Sequence, residues 1–162
     1  MLPLTEKTLR ASFINASVRE RQTLSLPHDF DELAWRELDF LAWRDRRIPS
    51  LGYVVIELGG QPTGVLLRQA EAKTRSRPQC SWCEDVQLPN DVVFYSAKRA
   101  GAAGRQGNTI GTLACAEFQC PTNVRKRPAL AYVGFDVEAE RQRRIQSLNQ
   151  RVGSFVRSVS AS

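Results

Sequence analysis

The clearest hydrophobic pattern lies at the end of the chain, where apolar residues recur at three- and four-residue steps. These residues are Ile145, Leu148, Val152, Phe155 and Val159. Such spacing is typical of an amphipathic helix with one apolar face, and it predicts a helix from about Val137 to Val159. Asp136 stands just before this stretch and can cap its first turn.

A weaker helical pattern opens the chain. Thr5 can cap a helix that continues to about Arg21, and Leu9, Phe13 and Val18 then fall near one face.

A further helix is predicted after Pro27, which resists continuation of the first one. It extends from about Asp31 to Arg44 and places Trp35, Leu38 and Leu41 on one side.

Four stretches rich in β-branched and aromatic residues predict strands. They are Tyr53–Leu58, Gly64–Arg68, Val92–Ala97 and Thr109–Ala114. The first two form a hairpin around Gly59-Gly60, and Pro62 predicts a turn longer than two residues.

The remaining segments connect these elements. A basic loop is predicted from Ala70 to Pro78, and a long flexible loop is predicted from Lys98 to Asn108 because that stretch has three glycines and no apolar periodicity. A short helix is predicted at Ala116–Val124, with Pro121 in its first turn.

Composition changes this picture little, but the charge distribution adds to it. The chain has 162 residues, of which 42% are hydrophobic and 25% charged, so it is globular rather than disordered. Residues 1–50 carry eight basic and eight acidic side chains, whereas residues 121–162 carry eight basic and three acidic ones. A basic C-terminal part suggests an anionic neighbour such as RNA or an acidic protein surface, and a solvated helix face is the equally acceptable alternative.

The sequence predicts a cytoplasmic protein with no membrane partner. No apolar stretch approaches the ~20 residues of a membrane span, and the start lacks the apolar segment of a signal peptide. Cellular thiol buffers keep the cysteines of a cytoplasmic protein reduced, so we predict no disulfides among the four.

The spacing of the cysteines is the main chemical clue. Two residues separate Cys80 from Cys83, residues 84–114 follow, and four residues separate Cys115 from Cys120. Two such pairs can supply the four thiolates of a tetrahedral zinc site, at Zn–S distances of about 2.3 Å. We predict one structural zinc ion, held by the end of a strand at Cys115, the start of a helix at Cys120 and the turn that carries the first pair.

No catalytic set emerges from the sequence, so we predict no enzymatic activity and no small-molecule substrate. His28 is the only histidine and stands in no triad-like context. Glu84, Asp85 and Asp91 stand near the cysteines, but acidic turn residues are their ordinary interpretation.

Residues 80–120 (CSWCEDVQLPNDVVFYSAKRAGAAGRQGNTIGTLACAEFQC) resemble the treble-clef zinc domain of elongation-factor-G-binding proteins, the FusB-type fusidic acid resistance family. The phrases RASFINAS, LDFLAWRD and GYVVIELGGQPTGVLLR resemble the lobe that precedes this domain in the family. The resemblance covers about Leu9 to Val159 and places the four cysteines on the family's metal-ligand positions. Some members have histidine as the fourth ligand, where this chain has Cys120.

The resemblance implies a function. Such proteins bind elongation factor G and favour its release from the ribosome, by contact rather than by chemistry. Their contact surface lies around the zinc finger and its hairpin loop, which here implicates Trp82, Phe94, Lys98, Arg99, Arg105, Gln106 and Thr109. Trp82 and Phe94 have a second interpretation as core residues of the finger, and the others as solubilising loop residues. The resistance proteins also begin with an extra helical bundle, for which we expect no room in this chain.

Together these observations predict an α+β protein. A small helix and β-hairpin lobe is expected at residues 1–76, followed at 77–162 by the treble-clef zinc finger and a long C-terminal helix. The alternative to elongation factor G binding is a zinc module that binds the ribosome or ribosomal RNA through its basic C-terminal part.

Overall fold

A computed structural model describes residues 1–71, 78–85, 91–129 and 132–160. Within these ranges the chain forms one antiparallel sheet in the order β1-β2-β3-β4-β5. The strands are β1 (Leu41–Arg44), β2 (Leu51–Leu58), β3 (Gln61–Gln69), β4 (Val92–Lys98) and β5 (Thr109–Cys115). The helices are α1 (Glu6–Ala11), α2 (Val18–Thr23), α3 (Gly101–Arg105), α4 (Cys120–Arg125) and α5 (Val137–Ser160).

The prediction of one helix from Thr5 to Arg21 is wrong, because two short helices occupy this region. Ser17 begins α2 with a capping box, in which its hydroxyl accepts from the Glu20 N–H and its own N–H donates to the Glu20 carboxylate. Between the helices, Phe13 forms a parallel bridge with Gly64 of the sheet. Local capping and sheet pairing therefore interrupt the helical pattern.

The predicted helix from Asp31 to Arg44 is also wrong. Two 3-10 turns, Phe30–Glu32 and Trp35–Glu37, are followed by β1. Leu41 and Trp43 point into the core and pair with Val55 and Tyr53 of β2. Strand pairing and burial decide the conformation here, because neither is visible in the local sequence pattern.

The β2–β3 hairpin is confirmed, but its turn has two residues rather than more. Gly59 and Gly60 have left-handed φ angles of 57° and 76°, as a type I′ turn requires. Leu58 pairs with Gln61 and closes this turn, so the backbone nitrogen of Pro62 points away from β2. β4 pairs only with the C-terminal end of β3, at Arg68 and Gln69. Pro62, at the other end of β3, therefore interrupts no ladder hydrogen bond.

The predicted loop from Lys98 to Asn108 contains α3 and is held against α5. Ala100 N–H donates to the Val159 carbonyl at 2.9 Å. Gly104 lies against the backbone of Arg99, where an added Cβ would stand 1.8 Å from the carbonyl oxygen. Glycine at this position therefore permits the tight packing of a short helix, rather than giving a flexible loop.

The C-terminal helix agrees with its prediction. α5 begins at Val137, and the Asp136 carboxylate accepts hydrogen bonds from the N–H groups of Glu138 and Ala139.

Among the described residues, no helix combines the length and the apolar character that crossing a membrane requires.

The sheet separates two hydrophobic clusters. On one face Tyr53 and Val55 of β2 pack with Leu9 and Phe13. On the other face, the cluster contains Val54, the buried side of α5 and the four cysteines. The predicted domain boundary after residue 76, like most of the predicted basic loop, lies outside the described residues, and β3 pairs with β4 across it.

Candidate metal centre

Two separate turns bring the four cysteines to one end of the β4–β5 hairpin. Cys80 and Cys83 lie in a turn that is attached to the edge of β5, since Ser81 N–H donates to the Leu113 carbonyl at 2.8 Å. Cys115 is the last residue of β5, and Cys120 is the first residue of α4. This is the arrangement predicted from the spacing, except that the helix begins at Cys120 and not at Ala116.

The geometry fits a tetrahedral zinc ion. The four sulfur atoms all lie within 4.8 Å of one another, and all four residues are buried. Cys80 Sγ lies 3.6 Å from Cys120 Sγ, and Cys83 Sγ lies 3.7 Å from Cys115 Sγ. Four ligands at about 2.3 Å from one zinc ion stand about 3.8 Å apart, so these distances match. The cysteines therefore form a site able to hold one zinc ion.

The electrostatics of the site also favour a cation. Hydrogen bonds from the thiols of Cys115, Cys120 and Cys83 lower the pKa of Cys80. Hydrogen bonds to Cys115, Cys80 and Cys83, together with burial, raise the pKa of Cys120. Four thiolates in this space thus need a positive charge among them, which Zn²⁺ supplies.

Two nitrogen donors orient the sulfur atoms. The buried Asn123 amide lies 3.5 Å from Cys115 Sγ and 3.7 Å from Cys83 Sγ, and it donates to both. The backbone N–H of Trp82 donates to Cys80 Sγ at 3.4 Å. Sequence reasoning missed Asn123, whose only signal is its position one helical turn after Cys120.

Aromatic packing fixes the turn between Cys115 and Cys120 against the sheet. The ring of Phe118 stacks on Tyr95 and Trp82, with centroid distances of 5.1 and 6.0 Å. An added Cβ at Gly52 would lie 2.7 Å from this ring, so only glycine leaves room for it. Phe118 itself has a left-handed φ of 54°, a strained conformation that this packing stabilises.

A cysteine-bearing turn, a β-hairpin and a helix whose first residue supplies the last ligand together define a treble-clef zinc finger. The chain belongs to the FBP C-terminal treble-clef zinc-finger family, whose model matches residues 8–159. The match includes the preceding lobe as well as the finger. Comparisons with curated proteins and with solved structures each gave no match.

The residues that the resemblance implicates in partner contact fall into two groups in the structure, one buried or partly buried and the other exposed. Trp82 is only 1% exposed, so the structure supports its interpretation as a core residue of the finger. Arg99 is partly buried, and its guanidinium donates to the Ser158 carbonyl at 2.8 Å. It therefore helps attach the β4–β5 connection to α5.

The other implicated residues are exposed on the β4–β5 hairpin, and all but Phe94 lie at the end opposite the metal centre. They are Phe94, Lys98, Arg105, Gln106 and Thr109. Phe94 is 42% exposed, and its ring covers Gly111. Since β5 has seven residues, Thr109 lies about 20 Å from Cys115 along the strand.

The carboxylates near the metal are engaged in ion pairs with α5. Glu84 pairs with Arg151 at 2.7 Å, and Asp85 pairs with Arg144 at 3.2 Å. Both carboxylates therefore link α5 to the turn that carries Cys80 and Cys83, which we call the first cysteine turn.

We expect replacement of Asn123 by leucine to weaken zinc binding while the protein stays folded. Leucine has the same branched arrangement of side-chain heavy atoms but cannot donate to the two sulfur atoms, and loss of such a supporting donor typically lowers metal affinity by roughly 10–100-fold. Competition with a chromophoric chelator measures the change. Thr122→Leu, at an exposed position of the same helix, is the matched control. Equal zinc affinity in the two variants would contradict a supporting role for Asn123.

Proposed function

We propose that this protein is a non-enzymatic translation accessory protein that binds elongation factor G in the cytoplasm and favours its release from the ribosome. The observation that carries this proposal is membership of the FBP C-terminal treble-clef zinc-finger family over residues 8–159, together with the sequence resemblance to elongation-factor-G-binding proteins.

The form of the metal site supports a binding role. Four buried cysteines fill the coordination sphere of one zinc ion, and such a closed site leaves no position for a reactive water. Zinc therefore contributes to folding, and we place the function on the surface of the protein.

The end of the β4–β5 hairpin is the surface best suited to this role. Residues 92–115 include Lys98, Arg99 and Arg105 and no acidic residue. The strands and the packed α3 hold Lys98 and Arg105 exposed on a rigid support. A basic surface of this kind is complementary in charge to an acidic patch, which we expect on elongation factor G.

The basic residues of α5 are less suited to RNA than the sequence suggests, because carboxylates accompany them. Arg141 pairs with Glu138 at 2.8 Å and Arg143 with Glu140 at 2.7 Å. Arg144 and Arg151 pair with the two carboxylates after Cys83. Part of the positive charge is thus compensated within the protein, and for this reason we favour a protein partner over ribosomal RNA.

The direct test is titration of purified elongation factor G with the zinc-loaded protein, followed by measurement of factor dissociation from ribosomes. We expect saturable binding and faster dissociation. Binding to ribosomes alone, with an affinity that falls steeply as salt rises, would support the RNA-binding alternative instead.

Charge reversal at the hairpin end should weaken factor binding. We expect Lys98→Glu combined with Arg105→Glu to lower the affinity at least about tenfold, or about 1.4 kcal/mol, because two attractive contacts become repulsive. The control is Lys7→Glu combined with Arg36→Glu, which changes the net charge equally at exposed positions elsewhere. If both double variants bind elongation factor G equally well, the hairpin end is not part of the interface.

A further inference from the structure

Among the described residues, strand β5 is the last strand of the sheet and forms an open edge next to the metal centre. Leu113 accepts from Ser81 N–H, which lies outside the sheet, so the backbone groups of Leu113 point away from β4. Backbone groups alternate in direction along an antiparallel strand, and those of Gly111 and Thr109 therefore point outward as well. Both residues are exposed, and an edge of this kind can pair with another strand.

A groove of about 450 Å³ lies between this part of β5 and helix α5. One side is formed by the first cysteine turn and β5, and the other by α5. Its lining includes Ser81, Trp82, Thr112, Gln150, Ser154 and Phe155. The groove therefore combines an edge strand with a facing helix, the arrangement in which several domains bind an extended peptide as an added strand.

The charge around the groove indicates the chemistry of its occupant. Arg151 also lines it, but Glu84 compensates its charge at 2.7 Å. Two other basic residues lie beside the groove and the open edge: Arg157 donates to the hydroxyl of Ser154 in the lining, and the exposed Lys98 pairs with Thr109. Residues 92–115 and 141–160 contain no aspartate or glutamate. A segment with acidic side chains is therefore attracted to this site, whereas a basic one is repelled.

We infer that the groove between β5 and α5 binds an extended acidic segment of the partner protein, which adds to the sheet as a strand beside β5. This inference rests on the proposed function, because the partner is taken to be elongation factor G. The N–H groups of Thr109 and Gly111 donate to the added strand, and the side chains of that strand alternate between the groove and the side of the sheet that carries Phe94.

Hydrogen–deuterium exchange at single-residue resolution tests the pairing. In the complex with purified elongation factor G, the amides of Thr109 and Gly111 should exchange at least about tenfold more slowly than in the free protein, because they become hydrogen-bonded. Binding without this protection would overturn the inferred strand pairing in the groove but not the proposed function. Absence of any binding would overturn both. Protection that grows with protein concentration in the absence of the factor would mean that two copies pair through β5, and it would also overturn the inference.

A groove-filling variant provides an independent measurement. Ser154→Trp places a large ring in the groove from an exposed position of α5, and it should weaken factor binding at least about tenfold. Gln142→Trp adds the same ring to an exposed position of the same helix outside the groove and should leave the affinity unchanged. Circular dichroism and zinc content establish that both variants fold. Equal affinities in two folded variants would overturn the inference.

Discussion

Replacement of Cys115 by serine is expected to abolish zinc binding and to destabilise the whole sheet. Structural zinc provides an apparent binding free energy of roughly 10–16 kcal/mol in isolated zinc-finger peptides, which is comparable to the total stability of a typical domain, about 5–15 kcal/mol. Serine is a poor zinc ligand and leaves three thiols in a buried cluster. Zinc content should fall from one equivalent per chain to almost none.

The effect should extend beyond the finger, because β2 belongs to both hydrophobic clusters. Val54 and Ile56 pack in the cluster that contains the cysteines, whereas Tyr53 and Val55 pack in the cluster on the opposite face. Loss of the first cluster therefore removes support from the second. We expect a lower melting temperature for the residual structure, and not an undisturbed N-terminal lobe.

Metal analysis and thermal unfolding of freshly purified protein measure these effects. Ser81→Ala is the control, since Ser81 is an exposed residue of the first cysteine turn and its hydrogen bond to β5 comes from the backbone N–H, which alanine retains. This variant should keep its zinc and its melting temperature. A Cys115→Ser protein with one equivalent of zinc and an unchanged melting temperature would show that the four cysteines do not form the metal site.

The sequence predicts those parts of the fold whose signals are local and strong. The periodicity of α5 extends over 24 residues and predicts its position correctly. The strands of the two hairpins alternate or are continuously apolar, and glycines mark the first turn. The spacing of the cysteines identifies the complete ligand set, because zinc coordination leaves few alternative patterns.

The region from Phe30 to Arg44 could not be predicted in the same way. Trp35, Leu38 and Leu41 have helical spacing, whereas β1 has only four residues, too few to show a clear alternation. Pairing with β2 provides the hydrogen bonds and the burial that decide the outcome. This information lies about ten residues further along the chain, outside any local window.

The supporting residues of the metal centre are equally hidden in the sequence. Asn123 contacts two sulfur atoms only because α4 begins at Cys120 and turns its amide toward them. Phe118 adopts a left-handed φ that a sequence pattern does not reveal for a large side chain. The ligands of a metal site are thus easier to predict than the residues that orient them.

The second large effect is expected at the centre of α5. Leu148 is fully buried in the cluster that contains the cysteines, so Leu148→Ala removes several buried carbon atoms and leaves a cavity. Such changes typically cost roughly 2–5 kcal/mol. Urea denaturation monitored by circular dichroism gives the free energy of unfolding. The control is Gln146→Ala, an exposed position two residues earlier in the same helix, where surface changes typically stay within about 0.5 kcal/mol.

This comparison also tests the proposed binding surface. If α5 packs on the sheet through Leu148, it forms a fixed side of the groove beside β5, and an extended segment can bind between two rigid elements. If Leu148→Ala and Gln146→Ala unfold with the same free energy, α5 is not held on the sheet in solution. The groove would then lack one of its sides, and α5 itself would become the candidate segment for contact with a partner.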